Sequence, residues 1–104
     1  GSELASHSIE CGEVVLNLND TSAAVRGEKI DLTKNEFLIL KTLMEKQGKV
    51  VSREEIMERL WGNDEFVDDN TLTVNITRIR KKLEAAGVND FITTKRGLGY
   101  LVGA

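Results

Sequence analysis

The chain has one cysteine, one histidine and no proline in 104 residues, and each scarcity removes a class of chemistry. A single thiol, Cys11, forms no intrachain disulfide and no cysteine zinc cluster, and it fits a reducing compartment. Set in a strand-like run, it reads as a small buried hydrophobe. The lone His7 has no partner at metal-ligand spacing, and no nucleophile has a histidine to activate it. Enzymatic activity, a metal and a cofactor are therefore not expected. No apolar run approaches the roughly 18 residues of a membrane span, and no secretory signal is visible, so the expected location is the cytoplasm. Internal repeats and low-complexity segments are also missing. Gly1-Ser2 reads as a cleavage scar, residues 1–8 as tag remnant and linker, and 9–103 as one domain with a single modest core.

What is present is a segregated charge. The net charge is −3, which alone speaks against a nucleic-acid partner. From Asn70 onward, however, six Lys/Arg face only Glu84 and Asp90, a net +4, whereas residues 1–69 carry 8 Lys/Arg and 15 Asp/Glu, a net −7. A local positive field attracts polyanions whatever the total.

Short β-like runs at 9–11, 14–18, 23–26 and 29–32 are separated by turn chemistry at Gly12, Asn19-Asp20 and Gly27, which suggests a four-stranded antiparallel meander. Helix starts follow. Thr33-Lys34-Asn35-Glu36 is a capping box, with Leu32 and Phe37 as a hydrophobic staple, opening a helix that Gly48 ends. Ser52-Arg53-Glu54-Glu55 repeats the pattern and opens a helix running to about Leu60-Trp61, where Trp61 reads as a core anchor. Asp68, with Val67 and Leu72 as staple, caps a third helix over 69–86 that ends at Gly87. Two strands at 91–95 and 100–102 then form a hairpin with Arg96-Gly97-Leu98-Gly99 at its tip. The class is α+β.

The third helix is the informative element. Leu72, Ile76, Ile79 and Leu83 form one apolar stripe, so Asn70, Val74, Thr77, Arg78 and Lys81 look outward, with Thr71 and Asn75 toward one flank and Arg80 and Lys82 near the stripe's edges. Such a face could simply be solvated. Against that, acids are nearly absent until Glu84, although soluble helices usually mix both signs. Base-reading residue types also share the face with an exposed valine suited to a thymine methyl, and a basic hairpin follows directly. Docking of an acidic protein partner on the same face is the alternative.

The run at 32–40, Ser52-Arg53-Glu54, Leu60-Trp61-Gly62, Val74-Asn75-Ile76 with Arg78-Ile79-Arg80-Lys81-Lys82-Leu83, and Arg96-Gly97-Leu98-Gly99-Tyr100 resemble the output domains of OmpR/PhoB-family response regulators over about residues 8–102. The resemblance implies a winged helix-turn-helix: an N-terminal four-stranded sheet, a three-helix core and a C-terminal β-hairpin wing. It implies sequence-specific binding of double-stranded DNA, with the third helix in the major groove and the wing on the minor groove. It further implies a phosphorylatable receiver domain upstream with its cognate histidine kinase, direct-repeat half-sites, a monomeric isolated domain and a dimer on DNA. Residues 68–75 are similar to regulators of antimicrobial-peptide sensing in Gram-positive bacteria.

Roles carried over by position make Arg78 the reader of a guanine edge and Val74 the contact to a thymine methyl. Asn75 and Thr71 would meet phosphates or bases near the helix start, and Arg80 and Lys81 would anchor on phosphate. Arg96 would enter the minor groove, with Thr94 a neighbouring backbone contact. Thr77 stands where relatives carry arginine, which implies one phosphate contact fewer and a shallower salt dependence. The loop at 62–67 is, from its composition, only an acidic connector; the resemblance makes it a surface for RNA polymerase.

Overall fold

In a computed structural model, which describes residues 8–19, 21–60 and 69–103, turn chemistry divides the N-terminal segment as its sequence suggests. Strands β1 (Ser8–Cys11), β2 (Val14–Asn17), β3 (Ser22–Val25) and β4 (Glu28–Ile30) form an antiparallel sheet in sequential order. The register sets Val14 opposite Val25 and Leu16 opposite Ala23. Because side chains alternate across a strand, these four share one face, and all are buried. β1 begins one residue before the expected boundary, with Ser8 paired to Asn17. β2 ends earlier than expected because the Asn17 side-chain carbonyl accepts the Asn19 N–H at 2.9 Å, turning the chain before Leu18 can extend the strand. β4 likewise stops at Ile30.

Helix α1 (Lys34–Glu45) starts with the complete capping box. Thr33 Oγ1 accepts the Glu36 N–H at 3.2 Å, and Glu36 Oε1 accepts the Thr33 N–H at 2.9 Å. Ile39, Leu40, Leu43 and Met44 fill the space under the sheet. Helix α2 (Arg53–Leu60) has only half a box: Ser52 Oγ accepts the Glu55 N–H at 3.1 Å, while the Glu55 carboxylate pairs with Lys46 instead. Helix α3 (Asp69–Ala85) buries Leu72, Ile76, Ile79 and Leu83. Burial of each such side chain contributes about 1.5–3 kcal/mol, so this stripe fixes the helix's rotation. α3 ends at Gly87, with Gly87 N–H donating to Glu84 O at 3.0 Å and Val88 N–H to Leu83 O at 2.9 Å, a Schellman pair. Gly87 has φ +99°, which a β-carbon would disfavour.

Strands β5 (Ile92–Lys95) and β6 (Gly99–Val102) form the C-terminal hairpin. Val51, just before α2, exchanges two backbone hydrogen bonds with Tyr100, at 2.8 and 2.9 Å, which ties the hairpin to the helical core. Gly99 makes that approach possible: at its φ of +146°, a β-carbon would lie 2.0 Å from the Val51 carbonyl oxygen. Residues 1–7, Asp20 of the second turn, Trp61, the 62–67 loop and the Asp68 cap lie outside the described residues. Among the described residues, no helix is long and apolar enough to cross a membrane. The winged-helix architecture is as expected.

Candidate nucleic-acid interface

The apolar stripe of α3 decides which side chains the opposite face offers. Val74 is 46% exposed, an unusual position for a valine, and Asn70, Thr73, Thr77, Arg78 and Lys81 are exposed beside it. The wing adds Lys95 and Arg96 and carries Leu98, 64% exposed, at its tip. Among the described residues, Arg78, Lys81, Lys95 and Arg96 make no side-chain hydrogen bond and no ion pair.

Neighbouring cations are engaged inside the protein. Arg53, at the start of α2, reaches Asp69 Oδ1 at 2.8 Å and Thr73 Oγ1 at 3.2 Å, bolting the two helix starts together and neutralising the one acid in the first turn of α3. Lys82 donates to Glu36 Oε1 at 2.6 Å and to the Asp31 carbonyl at 2.8 Å. Glu36 is only 1% exposed, so its carboxylate both closes the α1 cap and receives the ammonium of α3. Sequence reading found the cap but not this second role, because the partner lies far along the chain.

Two expected site residues are placed otherwise. Arg80 does not hang free for phosphate. Its Nε and Nη2 donate to the Ile92 carbonyl at 3.2 and 2.9 Å, and Nη2 also donates to Thr94 Oγ1 at 2.6 Å. It is a strut between α3 and β5: at about 100° per residue it lies about 40° from Ile76, at the edge of the core stripe, where a long side chain reaches the wing rather than solvent. Asn75 is 5% exposed, with Nδ2 donating to Thr71 O at 2.9 Å within the helix. At about 100° per residue it lies closer to the apolar stripe than to Val74's line, which turns it inward. Thr71 is half-buried and supplies that carbonyl. Thr94 is exposed; its oxygen accepts from Arg80, which leaves its own proton available to donate. Thr77 is exposed, and its hydroxyl donates to Thr73 O at 3.0 Å.

The arrangement offers binding chemistry. Four uncommitted cations and two exposed apolar side chains, Val74 and Leu98, lie on the outer face of a helix and an adjoining hairpin. Arg78 has the planar fork that suits the O6/N7 edge of guanine. Cys11 is buried, and burial pushes its thiol pKa up, away from the reactive thiolate. Among the described residues, no group of three or more His, Cys, Asp or Glu is placed to hold a metal ion.

The family model described as "Transcriptional regulatory protein, C terminal" matches residues 27–102. The sensory transduction protein BceR of Bacillus subtilis (strain 168) is 54% identical over 72 residues, covering 69% of this chain and 31% of that protein. The chain thus spans about a third of that relative's length. Among solved structures, the C-terminal domain of the nisin resistance regulator NsrR, a lantibiotic response regulator, matches with a TM-score of 0.78 at 39% identity, covering 90% of this chain and 94% of that one. The RstA DNA-binding domain of Klebsiella pneumoniae, solved in complex with the RstA box, matches with a TM-score of 0.77 at 28% identity, covering 92% and 96%. The chain therefore belongs to the family of C-terminal domains of transcriptional regulatory proteins, as a winged-helix output domain of the OmpR/PhoB response-regulator type.

Proposed function

We propose that this domain binds double-stranded DNA sequence-specifically, with α3 in the major groove and the β5–β6 wing on the minor groove, as the output half of a two-component regulator. Arg78 reads a guanine edge, Val74 meets a thymine methyl, and Lys81 and Lys95 neutralise phosphates. Arg96 enters the minor groove, and Thr94 donates to the backbone beside it. The carrying observation is that Arg78, Lys81, Lys95 and Arg96 are left without partners among the described residues, while Arg53, Arg80 and Lys82 are consumed by the fold. RstA, of the same fold, was solved on its own DNA box.

With Lys81 and Lys95 neutralising phosphates, the logarithm of affinity should fall with the logarithm of salt at a slope of about −1.8, so one domain alone binds weakly. Upstream of the domain, a receiver phosphorylated by a histidine kinase would bring two copies onto direct-repeat half-sites, and the 62–67 loop would meet RNA polymerase. The likeness to the nisin resistance regulator supports a response to peptide antibiotics as the setting.

The test is Arg78→Ala beside Lys81→Ala, each assayed on sites selected from a random duplex pool. Arg78→Ala is expected to cost about 1–3 kcal/mol and relax preference at one base step; Lys81→Ala should weaken all sequences alike and reduce the salt slope by about 0.9. Unchanged sequence preference in Arg78→Ala, or binding insensitive to salt, would reject the reading in favour of a protein partner.

A further inference from the structure

Thr77 is the one exposed polar residue of the α3 outer face, in the stretch between Val74 and Lys81, whose chemistry the proposed function leaves open. At about 100° per residue, Val74 lies between Thr77 and Arg78, about 60° from the first and about 40° from the second, so all three face the same groove. The Thr77 hydroxyl donates its single proton to the Thr73 carbonyl at 3.0 Å. A phosphate oxygen has no proton to offer in return, so a hydroxyl committed in this way does not bond the DNA backbone unless it gives up the helix carbonyl. The part of the side chain with no internal commitment is its methyl.

We propose that Thr77 is a specificity-determining residue that reads a thymine methyl, extending the apolar surface of Val74. The half-site met by α3 then carries a thymine at the step facing Thr77 as well as at the step facing Val74, beside the base pair read by Arg78. This rests on the DNA-binding reading above. It replaces the idea that threonine here is merely a lost phosphate contact with a positive role: the methyl of threonine does what an arginine at this position does not.

The experiment uses the domain on its selected duplex, with each thymine replaced singly by deoxyuridine, which removes only the 5-methyl group. For the unaltered domain, two positions should show a loss of about three- to fivefold, the scale of one buried methyl. Thr77→Val keeps both carbon branches and removes the hydroxyl; it should retain full affinity and both deoxyuridine penalties. Thr77→Ser keeps the hydroxyl and removes the methyl; it should erase one penalty and leave the Val74 penalty in place. Both substitutions are exposed and preserve the helix, so folding does not confound them.

Three results would overturn the proposal. The first is Thr77→Val weakening binding to all sequences alike while Thr77→Ser is silent, a pattern that belongs to a hydroxyl–phosphate contact. Deoxyuridine penalties unmoved by either variant, or a selected half-site without the second thymine, would each end it. The DNA-binding reading fails separately, through an Arg78→Ala variant that keeps its preference.

Discussion

Replacing Arg80 by methionine keeps the aliphatic stem and removes only the guanidinium, so it isolates the strut between recognition helix and wing. Three hydrogen bonds disappear, two to the Ile92 carbonyl and one to Thr94 Oγ1. A hydrogen bond to a charged group contributes about 1.5–3 kcal/mol. Arg80 is half-buried and its acceptors lie on a two-stranded sheet that water can reach, so the low end applies, about 1–2 kcal/mol for the group. For a domain of this size that lowers the melting temperature by about 5–15 °C, measurable by thermal unfolding followed by circular dichroism. The DNA readout is a double-mutant cycle. If Arg80 acts by holding the wing, Arg80→Met should weaken binding in the parent but add little once Arg96 is alanine, a coupling of about 0.5–3 kcal/mol. Against Arg78→Ala it should be additive. A phosphate anchor would behave differently: melting temperature unchanged, salt slope reduced by about 0.9 in every background, and no coupling to Arg96. That outcome would refute the strut.

Two further substitutions probe what holds the reading surface in place. Lys82→Met leaves the Glu36 carboxylate buried and without its ammonium, and should destabilise the domain by about 3 kcal/mol in denaturant unfolding, with the salt slope of DNA binding unchanged because Lys82 is not on the interface. Gly99→Ala would push a β-carbon into the Val51 carbonyl and break the Val51–Tyr100 pair; a loss of about 3 kcal/mol is expected, and a melting temperature within 2 °C or so of the parent would contradict the close approach.

The elements that were legible in the sequence are those whose signal is local. Thr33 and Glu36 cap each other across three residues, so the box could be read and is complete. The α3 stripe repeats at helical spacing, and that periodicity alone exposes Val74 and Arg78. The side chains whose partners the sequence does not give sit at the stripe's edges. Arg80, Asn75 and Lys82 occupy angles where a small rotation decides between solvent and interior, and their partners are set by packing. The wing carbonyl that takes Arg80 is 12 residues away, and the carboxylate that takes Lys82 is 46. A capping glutamate gives no local sign that it will also receive a lysine from another helix. The half-formed box at Ser52 has the same origin: Lys46 competes for the Glu55 carboxylate across the α1–α2 junction.

The central claim is that the outward side of α3 and the wing tip together meet the duplex. Amide chemical-shift mapping of the isotope-labelled domain, titrated with its selected duplex at low salt, tests it most directly. The account expects the largest changes within residues 70–81 and 94–98, with β1 to β4 quiet. Changes concentrated on the N-terminal sheet, with Val74, Arg78 and Arg96 unmoved, would contradict it.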